Sequence, residues 1–290
     1  ANLGKVSSHG YELELRLNHT FNNGIRAWLN TSMTHAVNKV KFRDDAPLKP
    51  DYQKGAGHAI NQVYSYIDHG NLATWDDVIG SPVWTTGNDA KLPGDYNIVD
   101  FNGDGVIDAD DRAPYQYSTM PQNTYNASIG AEWKGFDLSL VFQGAAQRTI
   151  FRTGDNNGNE IWRIPMKALY LNTSNQSVGN TWSPENRGAY YPTYSNKNEI
   201  NDYNYQASSW SVEDGAYLRL KNVTLGYTFP ANVLSKTKFI SYARIYVSGA
   251  DLWENSKIKD GWDPEASRKV ETFGRYPFTR NLTVGLNLTF

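Results

Sequence analysis

"YELELRLNHTFNNGIRAWLNTSM", residues 11–33, is the stretch whose reading decides the fold. Tyr11, Leu13, Leu15 and Leu17 alternate with Glu12, Glu14, Arg16 and Asn18. Successive side chains of a β-strand point to opposite faces, so this is a strand with one apolar and one polar face. "FNNG" (21–24) then turns the chain, because Asn and Gly accept left-handed backbone conformations at little cost. The alternation resumes at once, with Ile25, Ala27, Leu29 and Met33 on one face. Two amphipathic strands are thus joined by a turn too short to hold anything else.

The same period of two recurs along the chain. It gives Tyr125, Ala127, Ile129, Ala131 and Trp133, then Phe136, Leu138, Leu140 and Phe142, then Val223, Leu225, Tyr227 and Phe229. Ala243, Ile245 and Val247 follow, and finally Leu282, Val284, Leu286, Leu288 and Phe290. Seven strands are predicted, over 9–20, 25–41, 123–134, 136–147, 214–229, 241–252 and 279–290. The opposite faces carry Asn, Thr, Ser, Arg and Glu. A soluble sandwich also alternates, so the connections are the better discriminator. Those at 21–24, 134–135 and 230–240 are short; those at 42–122, 148–213 and 253–278 are long. Strict alternation of short and long is the pattern of a bacterial outer-membrane barrel, with turns on the periplasmic side and loops outside. On that reading residue 1 is extracellular and the C-terminus periplasmic. Seven strands leave two unpaired edges that lipid does not tolerate. The expectation is therefore an all-β transmembrane antiparallel barrel, of which residues 1–290 supply the C-terminal part.

Composition agrees. The 290 residues carry a net charge of −2, which gives no reason to expect a nucleic-acid partner. There is no cysteine, so disulfides and thiolate metal sites are excluded. No run of about 18 apolar residues exists to form a membrane helix, and a barrel needs none. Trp133, Phe136, Tyr227 and Phe229 fall at strand ends beside the short turns, where interfacial aromatic girdles sit. Phe290 closes the last strand in the apolar register, as in bacterial outer-membrane proteins. Trp75, Trp84, Trp162, Trp182, Trp210 and Trp262 lie in the long connections. There they can stack on sugar rings or pack the loops internally, and packing is the expectation for loops this long.

Catalytic signatures are missing. The five histidines, at 9, 19, 35, 58 and 69, form no ligand pair, and no Gly-x-Ser-x-Gly elbow or phosphate loop appears. A non-enzymatic protein is expected.

Several stretches resemble one family, the SusC/RagA class of TonB-dependent outer-membrane transporters of Bacteroidetes. They are "NLGKVSSHGYELEL" (2–15), "VYSYIDHG" (63–70), "PGDYNIVDFNGDGVIDADDR" (93–112), "TWSPEN" (181–186), "DGAYLRLKNVTLGYTFP" (214–230), "ARIYVSGADLW" (243–253), "GWDPE" (261–265) and "RNLTVGLNLTF" (280–290). Ala250–Asp251–Leu252 departs slightly from the family, whose members often carry Asn-Leu there. The resemblance implies a 22-stranded plugged barrel, of which this chain would hold the last seven strands. It also implies active import of a large nutrient, usually an oligosaccharide and in some members a peptide. The implied partners are a SusD-like lipoprotein lid, an N-terminal plug and barrel portion of the same transporter, outer-membrane lipid, and TonB acting through that N-terminal part. A calcium-stabilised surface module that binds carbohydrate without transport is the alternative.

One motif carries its own chemistry. In "DFNGDGVIDADD" (100–111), Asp100, Asn102, Asp104, Val106, Asp108 and Asp111 stand at positions 1, 3, 5, 7, 9 and 12 of an EF-hand-like loop. Val106 would contribute its carbonyl, and Gly105 occupies the sharp turn at position 6. Position 12 is Asp rather than Glu, a shorter arm. Residues 95–111 hold six Asp and no Lys or Arg, a set that repels itself without a cation. A structural Ca²⁺ site is expected, with Mg²⁺ the other candidate cation. An extended lead-in, in place of a helix, argues against a calcium sensor.

Overall fold

The computed structural model describes residues 4–151, 178–195, 203–204, 206, 208–258, 263–265 and 279–290. Trp162 and Trp262 lie outside them, as do parts of the second and third long connections. Seven strands form one antiparallel sheet in simple sequence order. They are β1 (Gly4–Thr20), β2 (Arg26–Arg43), β3 (Asn123–Trp133), β4 (Phe136–Ala146), β5 (Tyr217–Thr228), β6 (Tyr242–Ser256) and β7 (Asn281–Thr289). The fold class is the one expected: antiparallel β with a wall of seven up-and-down strands.

The pairing register converts the period of two into two chemically distinct faces. Leu17 pairs with Leu29, Leu29 with Ile129, Ile129 with Leu140, Leu140 with Val223, Val223 with Gly249, and Gly249 with Leu282. Directly paired residues share a face, so this is one apolar row across the whole sheet. One residue over, the row reads Asn18, Trp28, Gly130, Ser139, Thr224, Ser248 and Thr283. A one-residue slip anywhere would exchange the faces, so the pattern itself pins the register. The apolar face is bare: Leu13 is 60% exposed, Leu282 74% and Val284 73%. An uncovered sheet face of this extent marks an interaction with lipid or with another chain.

Strand ends differ from the expected bounds for local reasons. β1 starts at Gly4 because its pairing runs on to Arg43 through a register shift at Lys5/Val6. The predicted strand 214–229 divides in two. Asp214 accepts the N–H of Ala216 at 2.9 Å, a turn that separates β5 from the short strand Val212–Asp214. That short strand pairs instead with Thr149–Phe151. β6 runs past residue 252 to Ser256, crossing an irregularity where Asp251 adopts φ +55°.

Turn chemistry closes the short-turn end. Lys134 and Gly135 both have positive φ, +48° and +89°, the requirement of a two-residue hairpin that keeps the strand twist. Phe136 and Tyr227 pack at 4.6 Å, Tyr227 and Phe229 at 5.2 Å, and Phe239 stacks on Phe290 at 6.3 Å. Of the aromatic residues singled out in the sequence, Phe136, Tyr227 and Phe229 pack together at this end, and Phe290 pairs with Phe239.

The other end carries the chain's hydrophobic core, which lies in the connections and not against the sheet. Tyr66, Trp84, Ile98, Ile107 and Tyr203 form its buried centre. Four of these come from the first connection and Tyr203 from the second, so the two long connections fold together as one cap.

Candidate functional site

The cap is built by hydrogen bonds that cross between its two connections. Tyr203 donates its hydroxyl to the Tyr96 carbonyl at 2.7 Å, and Tyr96 donates its N–H to the Asn204 side chain at 3.0 Å. Asn204 in turn donates to the Asp95 carboxylate at 2.8 Å. Asp68 accepts from the Ser209 hydroxyl, and from the Trp210 N–H at 2.9 Å. Asp95 is fully buried, and burial pushes its carboxyl up to about 6 against the hydrogen bonds from Asn204 and Leu92 and the charge of Lys91. Lys91 is buried too, which brings its ammonium down to about 8 against the charge of Asp95. Its Nζ donates to the Pro82 carbonyl at 2.6 Å and sits 5.0 Å from the centre of the Tyr203 ring. Buried charges held by such partners resist rearrangement, because removing one partner strands the other.

Most of the described loop tryptophans are packing residues, as expected. Trp84 and Trp182 are buried, and Trp210 packs against Tyr96 and Tyr190 at 5.0 and 5.3 Å. Trp75 differs. It is 58% exposed at the start of the helix Trp75–Gly80, whose first turn is closed by the reciprocal Thr74–Asp77 capping box.

The acidic loop lies within this cap. Asp100 accepts the N–H groups of Gly103, Asp104 and Gly105 at 2.7, 3.2 and 2.6 Å. Burial opposes its ionisation, but these donors outweigh it and hold the carboxyl below its ordinary value. Asn102 donates to Asp104 at 2.9 Å, Asp104 accepts the Val106 N–H at 2.8 Å, and Asp108 accepts that of Asp110 at 2.8 Å. Asp111 is fully buried and accepts from Phe101, Asn102 and Asp108 at 2.6, 3.3 and 2.8 Å. There burial wins over the hydrogen bonds and raises the carboxyl. Gly103 and Gly105 take φ +78° and +88°. Among the described residues, no group of three His, Asp or Glu side chains is arranged to hold a metal ion. The carboxylates are instead turned onto backbone N–H groups of their own loop. Gln53 braces the loop from outside, donating to the carbonyls of Ala109, Asp110 and Arg112 at 2.8, 3.1 and 3.0 Å.

On the polar face of the sheet, large side chains lie over glycines of the next strand. A Cβ on Gly130 would stand 2.1 Å from Trp28, and one on Gly285 2.1 Å from Tyr246. Arg244 reaches across β5 to Asp137, with hydrogen bonds of 3.0 and 2.6 Å. It passes over Gly226, whose Cβ would be 2.4 Å from its guanidinium. Trp28, Arg26, Glu132, Asp137 and Arg244 line a cavity of about 690 Å³ at the short-turn end. The sequence alternation does not single these residues out. Glycines facing large side chains on adjacent strands are a signal that could have found them.

No family model matches the sequence. TonB-dependent receptor P3 of Formosa agariphila is 28% identical over 316 residues, covering 100% of this chain and 29% of the relative. TonB-dependent receptor SusC of Bacteroides thetaiotaomicron is 24% identical over 195 residues, covering 67% of this chain and 17% of the relative. The structure of the RagAB peptide transporter superposes with a TM-score of 0.69 at 20% identity, covering 100% of this chain and 30% of that one. The chain is similar in sequence to TonB-dependent receptors over its whole length, and in fold to the RagAB transporter. It spans less than a third of the length of the relatives it matches. The seven-stranded sheet is accordingly a segment of a RagA-type barrel wall. The relatives are named as receptors, not as enzymes, in keeping with the absence of catalytic signatures.

Proposed function

We propose that this chain is the C-terminal barrel segment of a transporter that imports a large nutrient across the bacterial outer membrane, driven by TonB. The observation that carries the reading is the uninterrupted apolar row from Leu17 to Leu282, set against a cap folded from two long connections. The apolar face meets lipid, the polar face lines the lumen, and the cap stands at the extracellular mouth. Residue 1 is then outside the cell and Phe290 at the periplasmic side. An oligosaccharide is the first candidate cargo and an oligopeptide the second, with a SusD-like lipoprotein as lid. The hydroxyl- and amide-rich polar face supports either, since both cargoes bind through hydrogen bonds. The full-length protein is expected to fractionate with outer membranes, to migrate on gels in a heat-modifiable way, and to support nutrient uptake that is lost on deletion of TonB. Recovery in the soluble fraction would overturn the reading in favour of a surface carbohydrate-binding module.

Within this reading the loop of Asp100, Asn102, Asp104, Val106, Asp108 and Asp111 is proposed as a structural calcium site that fixes the cap. Support comes from the order of its oxygen donors and from Gly105 at the sharp turn. A carboxylate offers about four lone-pair positions, so those engaged by N–H groups keep capacity for a cation. Chelator-washed, calcium-reloaded protein is expected to take up the metal stoichiometrically, and the Asp104→Ala/Asp108→Ala variant to lose it. No uptake, or full uptake by the double variant, would end the proposal.

A further inference from the structure

Two stretches that mark the family likeness, "YLRLKN" (217–222) and "DPE" (263–265), are separated by some forty residues of sequence and meet in space. Arg219 donates to Asp263 at 2.8 Å and lies 3.3 Å from Glu265. Lys221 contacts Glu265 at 3.2 Å and Asp251 at 3.1 Å. Arg148, beyond the end of β4, donates to the Pro264 carbonyl at 2.9 Å. Three consecutive residues of the third long connection are thus gripped by three cations from elsewhere in the chain.

The wall is shaped for this grip. The register of β5 skips Lys221 against both neighbours, and β6 answers with the positive-φ residue Asp251. A bulge of this kind re-aims a side chain. Arg219 also bonds Glu254 on β6, at 2.8 Å from its Nε, and its side chain is wholly buried. Among the described residues, Arg148, Arg219 and Lys221 face the carboxylates of Asp251, Glu254, Asp263 and Glu265. Two of these four come from the tripeptide and two from β6.

We propose that Asp263–Pro264–Glu265 is a strap, and that Arg148, Arg219 and Lys221 form its docking site on the inner wall. Docking holds Asp263–Pro264–Glu265 against the polar face of the wall and offsets part of the positive charge there. The site recognises an acidic tripeptide: one carboxylate on each side of the Pro264 carbonyl, with the Glu265 N–H turned back onto Asp263 at 3.0 Å. This inference rests on the polar face being the inside of the barrel.

The test uses the full-length transporter from outer membranes, with hydrogen exchange read across residues 253–278 and heat-modifiable gel mobility reporting the barrel separately. Asp263→Asn/Glu265→Gln is expected to speed exchange in that connection about tenfold or more while β1–β7 stay protected. Arg219→Asp is expected to do the same, and Arg219→Asp combined with Asp263→Arg to restore protection. The acidic peptide acetyl-Asp-Pro-Glu-amide is expected to bind the Asp263→Asn/Glu265→Gln protein and not the wild type. A heat-modifiable double variant with unchanged exchange and no peptide binding would overturn the strap. Loss of heat-modifiable mobility in the wild type would instead overturn the barrel reading beneath it.

Discussion

Gly94→Ala is expected to unseat the cap while leaving the barrel wall intact. Gly94 adopts φ +100°, a conformation that L-residues rarely take. A Cβ there would stand 2.4 Å from the Trp182 ring and 2.8 Å from Cβ of Thr193. Its backbone is engaged as well. The N–H donates to Leu72 at 2.6 Å, and the carbonyl accepts from Thr193 at 3.0 Å and from the Asn71 side chain at 2.8 Å. The residue therefore cannot rotate out of strain without releasing the second connection from the first. Backbone strain and overpacking each cost on the order of 1–3 kcal/mol, so about 3 kcal/mol or more of docking energy is at stake. Hydrogen exchange should rise in residues 63–115 and 178–195, with the sheet unaffected. Wild-type protection of both segments in the variant would show that the cap does not depend on this crossing.

The barrel wall was legible in the sequence because its information is local. Alternation from Tyr11 to Leu17 and from Leu282 to Phe290 reports which face each residue occupies, and short turns force neighbouring strands to pair. Register follows from the same pattern, since a slip would place Arg16 or Asn18 among leucines. The cap was not legible in that way. Asp95 meets Asn204, and Asp68 meets Ser209 and Trp210, across more than a hundred residues and with no periodicity to announce it. Packing of Trp84 and Trp182 could be expected from loop length alone, but their partners could not.

The acidic loop divides along the same line. Spacing gave its turn, and Gly103 and Gly105 do take left-handed conformations. Spacing could not show that Gln53 would brace it or that Asp111 would be sealed from solvent, because both depend on contacts outside the motif. The strap is the sharper case. "DPE" and "YLRLKN" were visible as family marks, yet nothing in either says that one binds the other. A pair of opposite-charge motifs becomes a site only when the bulge at Lys221 brings both to the polar face of the sheet.

The wall has a dependence of its own, which Gly130→Val is expected to expose. Gly130 pairs with Trp28 on β2 and Ser139 on β4, and the Trp28 ring lies across it. A Cβ at this position would meet Trp28 at 2.1 Å and the Leu138 carbonyl oxygen at 2.7 Å. The first clash can be relieved if the ring swings away from the polar face; the second is with backbone and requires β3 and β4 to part. Valine adds two methyl groups to both conflicts, at an expected cost of about 3 kcal/mol or more in a sheet that has no soft layer to absorb it. The variant should show reduced heat-modifiable, folded protein in the outer membrane. Trp28→Ala in the same chain should recover only part of it, because the Leu138 contact remains. Full recovery would mean that the ring alone dictates glycine at 130. Wild-type assembly of Gly130→Val would mean that the aromatic residue covers the glycine without requiring it.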